Sequence, residues 1–154
     1  MLDTVLTPLV LLANGLSAGV LVGTQLGGWP LLVALPPDRY VYAHAFFSTR
    51  YDPFMPICLI VTVLGDAALA VFGAASPVRV SQALAALLAL AVAVVSVTIN
   101  VPVNRWIRTV DPDRLPADFA ELDPRPGWGR WNRVRSLLAV LALVANCVAV
   151  FLQL

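Results

Sequence analysis

Four stretches of predominantly apolar residues, each about as long as a bilayer is thick, constrain this chain more than anything else in it. A hydrocarbon core of ~30 Å takes ~20 apolar residues in helical form. Residues 4–26, 54–74, 80–103 and 134–154 meet that length. The first is interrupted only by Asn14, Ser17, Thr24 and Gln25, and the second by Thr62 and Asp66. Backbone polar groups in lipid must be satisfied within the segment, so helices are the expected spanning form. Pro53 and Pro56 suit the first turn of the second span, where a missing N–H costs little. Gly73 to Pro77 leaves room only for a tight turn, so spans two and three form a hairpin. The N-terminal run has Asp3 before it, no basic residue, and exceeds a ~7–15-residue signal core, so it reads as a retained helix.

The expected fold is therefore all-α: one membrane-embedded four-helix bundle, with loops at about 27–53 and 104–133. Composition agrees, since 60% of the 154 residues are hydrophobic and 12% charged, against ~25% charged in soluble domains. Cys58 and Cys147 fall in apolar runs without a neighbouring Cys or His at metal-ligand spacing, which argues against a disulfide framework or a zinc site. Nor is there a phosphate loop, nucleophile elbow, paired-His motif or dinucleotide fingerprint. No metal or other cofactor is expected. No basic patch stands outside the loops, so no nucleic-acid partner is expected either.

Every basic residue is an arginine, and the arginines predict orientation. Arg39 and Arg50 lie in the first loop, and Arg105, Arg108, Arg114, Arg125, Arg130, Arg133 and Arg135 lie in or beside the third. Only Arg79 is on the other side. The positive-inside bias puts loops one and three in the cytoplasm and both termini outside, in a multi-pass protein of the cell membrane. Pro112, Pro116, Pro124 and Pro126 stiffen the third loop, whose Arg–Asp alternation nearly balances its charge. A folded cap on the membrane surface is expected there, with one short helix at 117–122.

Residues three and four apart share a helix face. Gly15, Gly19 and Gly23 form a small-residue ridge suited to close helix packing. Each span also carries one polar stripe: Asn14, Ala18, Leu21 and Gln25; Cys58, Thr62 and Asp66; Ser96, Asn100 and Asn104; Trp131, Arg135, Ala139, Ala142 and Asn146. Four such stripes must turn inward, away from lipid. At 1.5 Å per residue, Asn14, Asp66 and Asn146 lie ~16–20 Å from the loop-bearing ends and share a layer. Asn100 lies ~6 Å deep, with Asn104, Trp131 and Arg135 at the rim. Asp66 is the most costly residue, at ~2.5–3.5 kcal/mol for a mid-helix aspartate. Either it is protonated and bonded to Asn14 or Asn146, or it lines a wet pocket. Arg135 is either a snorkelling anchor or an inward cation that holds an anionic oxygen.

Trp29, Trp106, Trp128, Trp131, Tyr40, Tyr42 and Tyr51 all gather on the arginine-rich side. Interfacial anchoring explains part of this; the rings can also build a mouth for a flat apolar ligand. His44 is the only histidine, and it shares that side with Asp52, Asn104 and Arg135. It is a surface residue or a general base.

The third span ends in Asn100-Val-Pro-Val-Asn104 and the fourth opens with Trp131-Asn-Arg-Val-Arg135. Together with Asn14-Gly-Leu-Ser-Ala-Gly19 and Arg50-Tyr-Asp-Pro-Phe-Met-Pro56, this resembles the anthrone-oxygenase-like family of small four-helix membrane proteins. The resemblance implies an oxygenase that turns an anthrone-type aromatic polyketide into an anthraquinone with molecular oxygen, without an established metal or flavin. His44, Asp66 and Arg135 are then the candidate catalytic residues. Asn100, Asn104, Trp131, Trp106 and Asn14 are the candidate substrate-binding ones. The enzyme reading expects a cavity opening near Trp131, with Asn104 and Arg135 on its wall. The competing reading, a non-enzymatic membrane subunit or small-molecule carrier, expects the stripes to bond to one another and leave no cavity.

Overall fold

The computed structural model describes residues 2–73 and 76–153, so the ends of the second and fourth expected spans, Ala74 and Leu154, lie outside the described residues. Helix α1 (Leu2–Gly23) continues through a π turn, Thr24–Gly28, into α2 (Trp29–Ala34). Then come α3 (Pro37–Arg50), α4 (Phe54–Phe72) and α5 (Ser76–Val95). A second π turn, Ser96–Asn100, leads into α6 (Val101–Ile107), followed by α7 (Phe119–Leu122) and α8 (Arg125–Phe151). Among the described residues there is no strand. Four helical stretches are long and apolar enough to cross a membrane: Asp3–Ala34, Phe54–Phe72, Ser76–Ile107 and Phe119–Phe151.

The two π turns have a common sequence cause. Each is followed by one residue and then a proline, Pro30 or Pro102. A proline inside a helix has no N–H to give and its ring presses on the carbonyl four residues back, here Leu26 and Thr98. The helix widens instead of breaking, with the N–H of Trp29 bonding Thr24 O and that of Val101 bonding Ser96 O. One extra residue per turn re-aims the side chains, and Gln25, Ser96 and Asn100 all sit in these widened turns.

Helices α1, α4, α5 and α8 pack as a ring in which each touches the next and α8 closes on α1. Lipid tails are as apolar as leucine, so burying leucines between helices gains little, and close packing of small residues holds the bundle. The small residues that do this are alanines, Ala85 and Ala89 on α5 against Ala139, Ala142, Ala145 and Ala149 on α8, all buried. The expected glycine ridge does not: a Cβ placed on Gly15, Gly19 or Gly23 meets nothing within 4 Å. The close approaches are at Gly65, against the Val10 side chain, and Gly129, against the Trp29 indole. Large side chains such as Leu12, Ile57, Leu87 and Leu137 cover the outside.

One end of the bundle carries the cap. The first loop is more helical than its sequence pattern implies, because α2 prolongs span one and α3 lies across the end. Leu32, Tyr40, Val41, Ile107 and Phe119 form a second, smaller core beneath it. Trp106 stacks on Phe119 at 6.2 Å, which docks α7, the short helix expected at 117–122. Arg125 bonds Asp123 and Leu35 O, tying the start of α8 to the end of α2.

Candidate functional site

Two polar layers occupy the bundle interior, with an apolar slab between them. The layer farther from the cap joins Asp66 and Asn146, whose Nδ2 donates to Asp66 Oδ2 at 3.0 Å. Ser81 Oγ donates to Ala145 O, and the buried Gln82 beside it reaches toward the end of α4, its Oε1 near Gly73. Among the described residues, Asn14 Nδ2, Asp66 Oδ1 and both amide atoms of Gln82 find no protein partner there. Ala18, Leu21, Leu59, Ala89, Val92 and Ala139 make up the slab.

Between the slab and the cap lies a cavity of about 420 Å³, within the usual range for small-molecule sites. Its wall is mainly apolar, from Leu21, Met55, Leu59, Val63 and Ala93 among others. His44, Ser96, Asn104, Trp128 and Arg135 add polar groups at the cap side, and Asp52 and Arg108 stand at its rim.

Arg135 is 8% exposed and makes no ion pair; the two salt bridges among the described residues are Arg39–Asp38 and Arg125–Asp123. Its Nε and Nη2 donate to Asn132 Oδ1 at 3.0 and 2.8 Å, and Nη1 to Ser96 Oγ at 3.3 Å. Asn132 Nδ2 in turn donates to Gln25 Oε1. Both π turns therefore help hold this side chain, and Trp128 lies 5.6 Å beneath its guanidinium carbon. A guanidinium has five N–H donors. Three have protein partners, and the cation stands on the cavity wall without an anion.

A second chain of bonds fixes His44. Trp128 Nε1 can only donate, so the Asn104 atom it meets at 2.8 Å is the carbonyl oxygen. That oxygen also faces His44 Nε2 at 2.9 Å, so Nε2 carries the hydrogen. His44 Nδ1 is then the acceptor for the Tyr40 hydroxyl at 2.9 Å. Burial pushes the imidazole below its ordinary value; the bond to Asn104 opposes this and the Arg135 charge adds to it. The Tyr40 phenol is pushed well above its ordinary range by burial and by the Asp123 carboxylate, against the pull of Arg125. The pair is thus a neutral imidazole and a neutral phenol, with the Asn104 amide N–H groups left for the cavity.

Of the residues singled out in the sequence, His44, Asn104 and Arg135 converge on the cavity. Asn100 sits behind its wall and donates to Trp128 O. Asp66 and Asn14 lie in the other polar layer, across the slab. Trp106 belongs to the cap core. Trp131 is half-buried with Arg130 near its ring and is not on the cavity wall; Trp128, one turn earlier, takes that place. Asn132 was not singled out. Its signal was the i to i+3 spacing to Arg135, hidden because α8 begins nine residues before 134, at Arg125. Among the described residues, no three His, Cys, Asp or Glu side chains are placed to hold a metal ion.

No curated protein and no solved structure matches the chain. The profile described as anthrone oxygenase matches residues 44–145, a segment from the candidate base to within one residue of Asn146. That is about two thirds of the sequence, and it holds His44, Asn104, Trp128 and Arg135. The chain belongs to the anthrone oxygenase family.

Proposed function

We propose that the protein is a membrane-embedded oxygenase that takes a flat, hydrophobic aromatic of the anthrone type and inserts one atom of molecular oxygen into it. The observation that carries this is Arg135, a buried cation without a counter-ion on the wall of an apolar cavity. Such a group has little to offer a neutral hydrocarbon. It has much to offer an oxygen that becomes negative during reaction, since a fixed donor in a dry site stabilises developing charge by ~3–4 kcal/mol.

An anthrone methylene is acidic because its anion delocalises onto the ring-borne oxygen. His44 takes that proton. For this the Nε2–Asn104 bond opens: the hydrogen shifts to Nδ1, which donates to Tyr40, and the Asn104 carboxamide turns aside so that the freed Nε2 lone pair meets the ligand instead of the Asn104 oxygen. The oxyanion is held by Arg135 and the Asn104 amide. The carbanion reduces oxygen and bonds to it, giving a hydroperoxide. Loss of the second C–H proton and cleavage of the O–O bond leave a carbonyl and release water. The methylene gives up four electrons, and dioxygen accepts four. The cap end, which bears nine of the ten arginines, faces the cytoplasm under this proposal.

The test is oxygen uptake and quinone absorbance in membranes containing the protein, supplied with an anthrone, beside Arg135→Gln, Asn104→Ala and empty membranes. Turnover well above empty membranes, reduced ~10²-fold or more in Arg135→Gln, is the expected result. Equal rates in all four samples overturn the reading.

A further inference from the structure

We infer that the cavity is open to the bilayer through a gap between α4 and α5, and that its ligand arrives from the hydrocarbon as a neutral molecule. This rests on the reading that the cavity takes an apolar aromatic, but not on any turnover. Besides Asp52, Pro56 and Arg108 toward the cap, four residues of the cavity wall are also outer-surface residues: Ile60 and Leu64 on α4, Leu90 on α5 and Val97 in the second π turn. Their exposures are 56%, 65%, 47% and 67%. Side chains that border an interior space and are also about half or more exposed mark where that space comes nearest the surface.

The position of this opening follows from the hairpin. Helices α4 and α5 are consecutive, α4 ending at Phe72 and α5 beginning at Ser76, so depth along both is counted from that end. Counted from the hairpin at 1.5 Å per residue, Leu64 and Ile60 lie ~12 and ~18 Å along α4, and Leu90 ~21 Å along α5. Those depths fall within a ~30 Å hydrocarbon layer, and Val97, ~31 Å along, stands at its edge. The opening thus faces acyl chains, apart from the polar rim at Asp52 and Arg108.

The chemistry of the gap also selects. None of its four side chains has a polar atom, so a charged ligand passing there would lose its hydration with nothing in return. A neutral fused-ring compound already dissolved in the membrane loses none. The ligand would become ionic only inside, where Arg135 and Asn104 wait. The opening would therefore sort by charge before the site acts.

The test uses the full chain in bilayers of phosphatidylcholine brominated at mid-chain, with unbrominated lipid as reference. Bromine quenches the indoles it touches, and Trp128 lines the cavity. Ile60→Phe with Val97→Phe should narrow the gap and lose much of the mid-chain quenching, while Ile60→Ala with Val97→Ala should increase it. Quenching that is the same in wild type and both pairs overturns the inference, whether or not any anthrone is turned over. A second arm measures kcat/KM for a membrane-dissolved anthrone: the Phe pair should lower it with kcat retained. An unchanged kcat/KM in a Phe pair that has lost quenching overturns entry by this route. If wild type turns nothing over, the oxygenase reading fails and the quenching arm still decides whether the gap is open.

Discussion

Arg135→Met is the perturbation whose outcome separates a functional cation from a structural one. An arginine at the helix centre costs ~2.5–3.5 kcal/mol on insertion scales, an upper bound for Arg135 near the cap end, and methionine removes whatever part of that cost applies. Against this, Asn132 Oδ1 loses both of its donors, and a buried acceptor left unpaired costs ~1–3 kcal/mol. Ser96 loses little, because its own hydroxyl still donates to Val92 O. The balance lies between about 2 kcal/mol of lost stability and about 2 kcal/mol of added stability. Arg135→Met with Asn132→Leu and Gln25→Leu should be more stable than the single variant, since the orphaned carbonyl and the Gln25 oxygen that Asn132 serves are then both gone. Unfolding by SDS titration in mixed micelles, followed by circular dichroism, measures both. Oxygen uptake on the same preparations should fall ~10²–10³-fold. A loss of more than about 3 kcal/mol in the single variant would mean that three charge-assisted bonds hold the bundle together. That result, or wild-type turnover without the guanidinium, refutes the reasoning.

The other expectations are more local. Gly129→Ala drives a Cβ into the Trp29 indole and should cost ~1–3 kcal/mol with a shift in tryptophan emission. Gly19→Ala has open space and should be ~0.5–1 kcal/mol more stable by thermal unfolding. Asn146→Leu strips Asp66 of its one side-chain partner and should destabilise the bundle by ~1–3 kcal/mol, an effect that Asp66→Leu in the same chain should relieve. His44 titrates lower in the folded than in the unfolded chain, so the unfolded state takes up its proton first. Its stabilising contribution is present above the unfolded value of ~6.5 and is lost as pH falls from there toward the folded value. Unfolding titrations at about pH 7.5 and about pH 5.5 should show the loss in wild type and a flatter profile in His44→Gln.

The bundle was legible because its signal is energetic and local. A twenty-residue apolar run has few alternatives to a membrane helix, and a polar residue within it must turn inward. Depth arithmetic puts Asn14, Asp66 and Asn146 in one layer, but that Asn146 and not Asn14 bonds Asp66 is seen only in the structure. Two features were not legible. Gly15, Gly19 and Gly23 repeat at the right interval, but a repeat does not say which face is packed, and the alanines of α5 and α8 outcompeted it by number. The two π turns were hidden because a proline preceded by apolar residues reads equally as a helix end. Their one-residue slip brings Gln25 toward Asn132 and Ser96 toward Arg135, contacts that a strict 3.6-residue count does not foresee.

Insertion cost marks Asp66 and Arg135 as the two expensive residues of the spans, yet cost alone cannot say which one serves chemistry. Their surroundings differ in the way that matters. Asp66 lies beyond the slab of Ala18, Leu59, Val92 and Ala139 with an amide to bond and no cavity beside it. Arg135 has its amide and hydroxyl partners and still keeps donors free at the edge of an apolar space. Asp66 Oδ1 also lacks a partner, so the distinction lies in the space each group faces: free donors on a cavity wall retain affinity for something that arrives, whereas an oxygen off that wall does not meet it. The slab separates the layers, so under the proposed reaction the groups placed for acid–base work are His44 and Tyr40. On that ground, Asp66→Asn should leave kcat for an anthrone unchanged while Tyr40→Phe alters its pH profile.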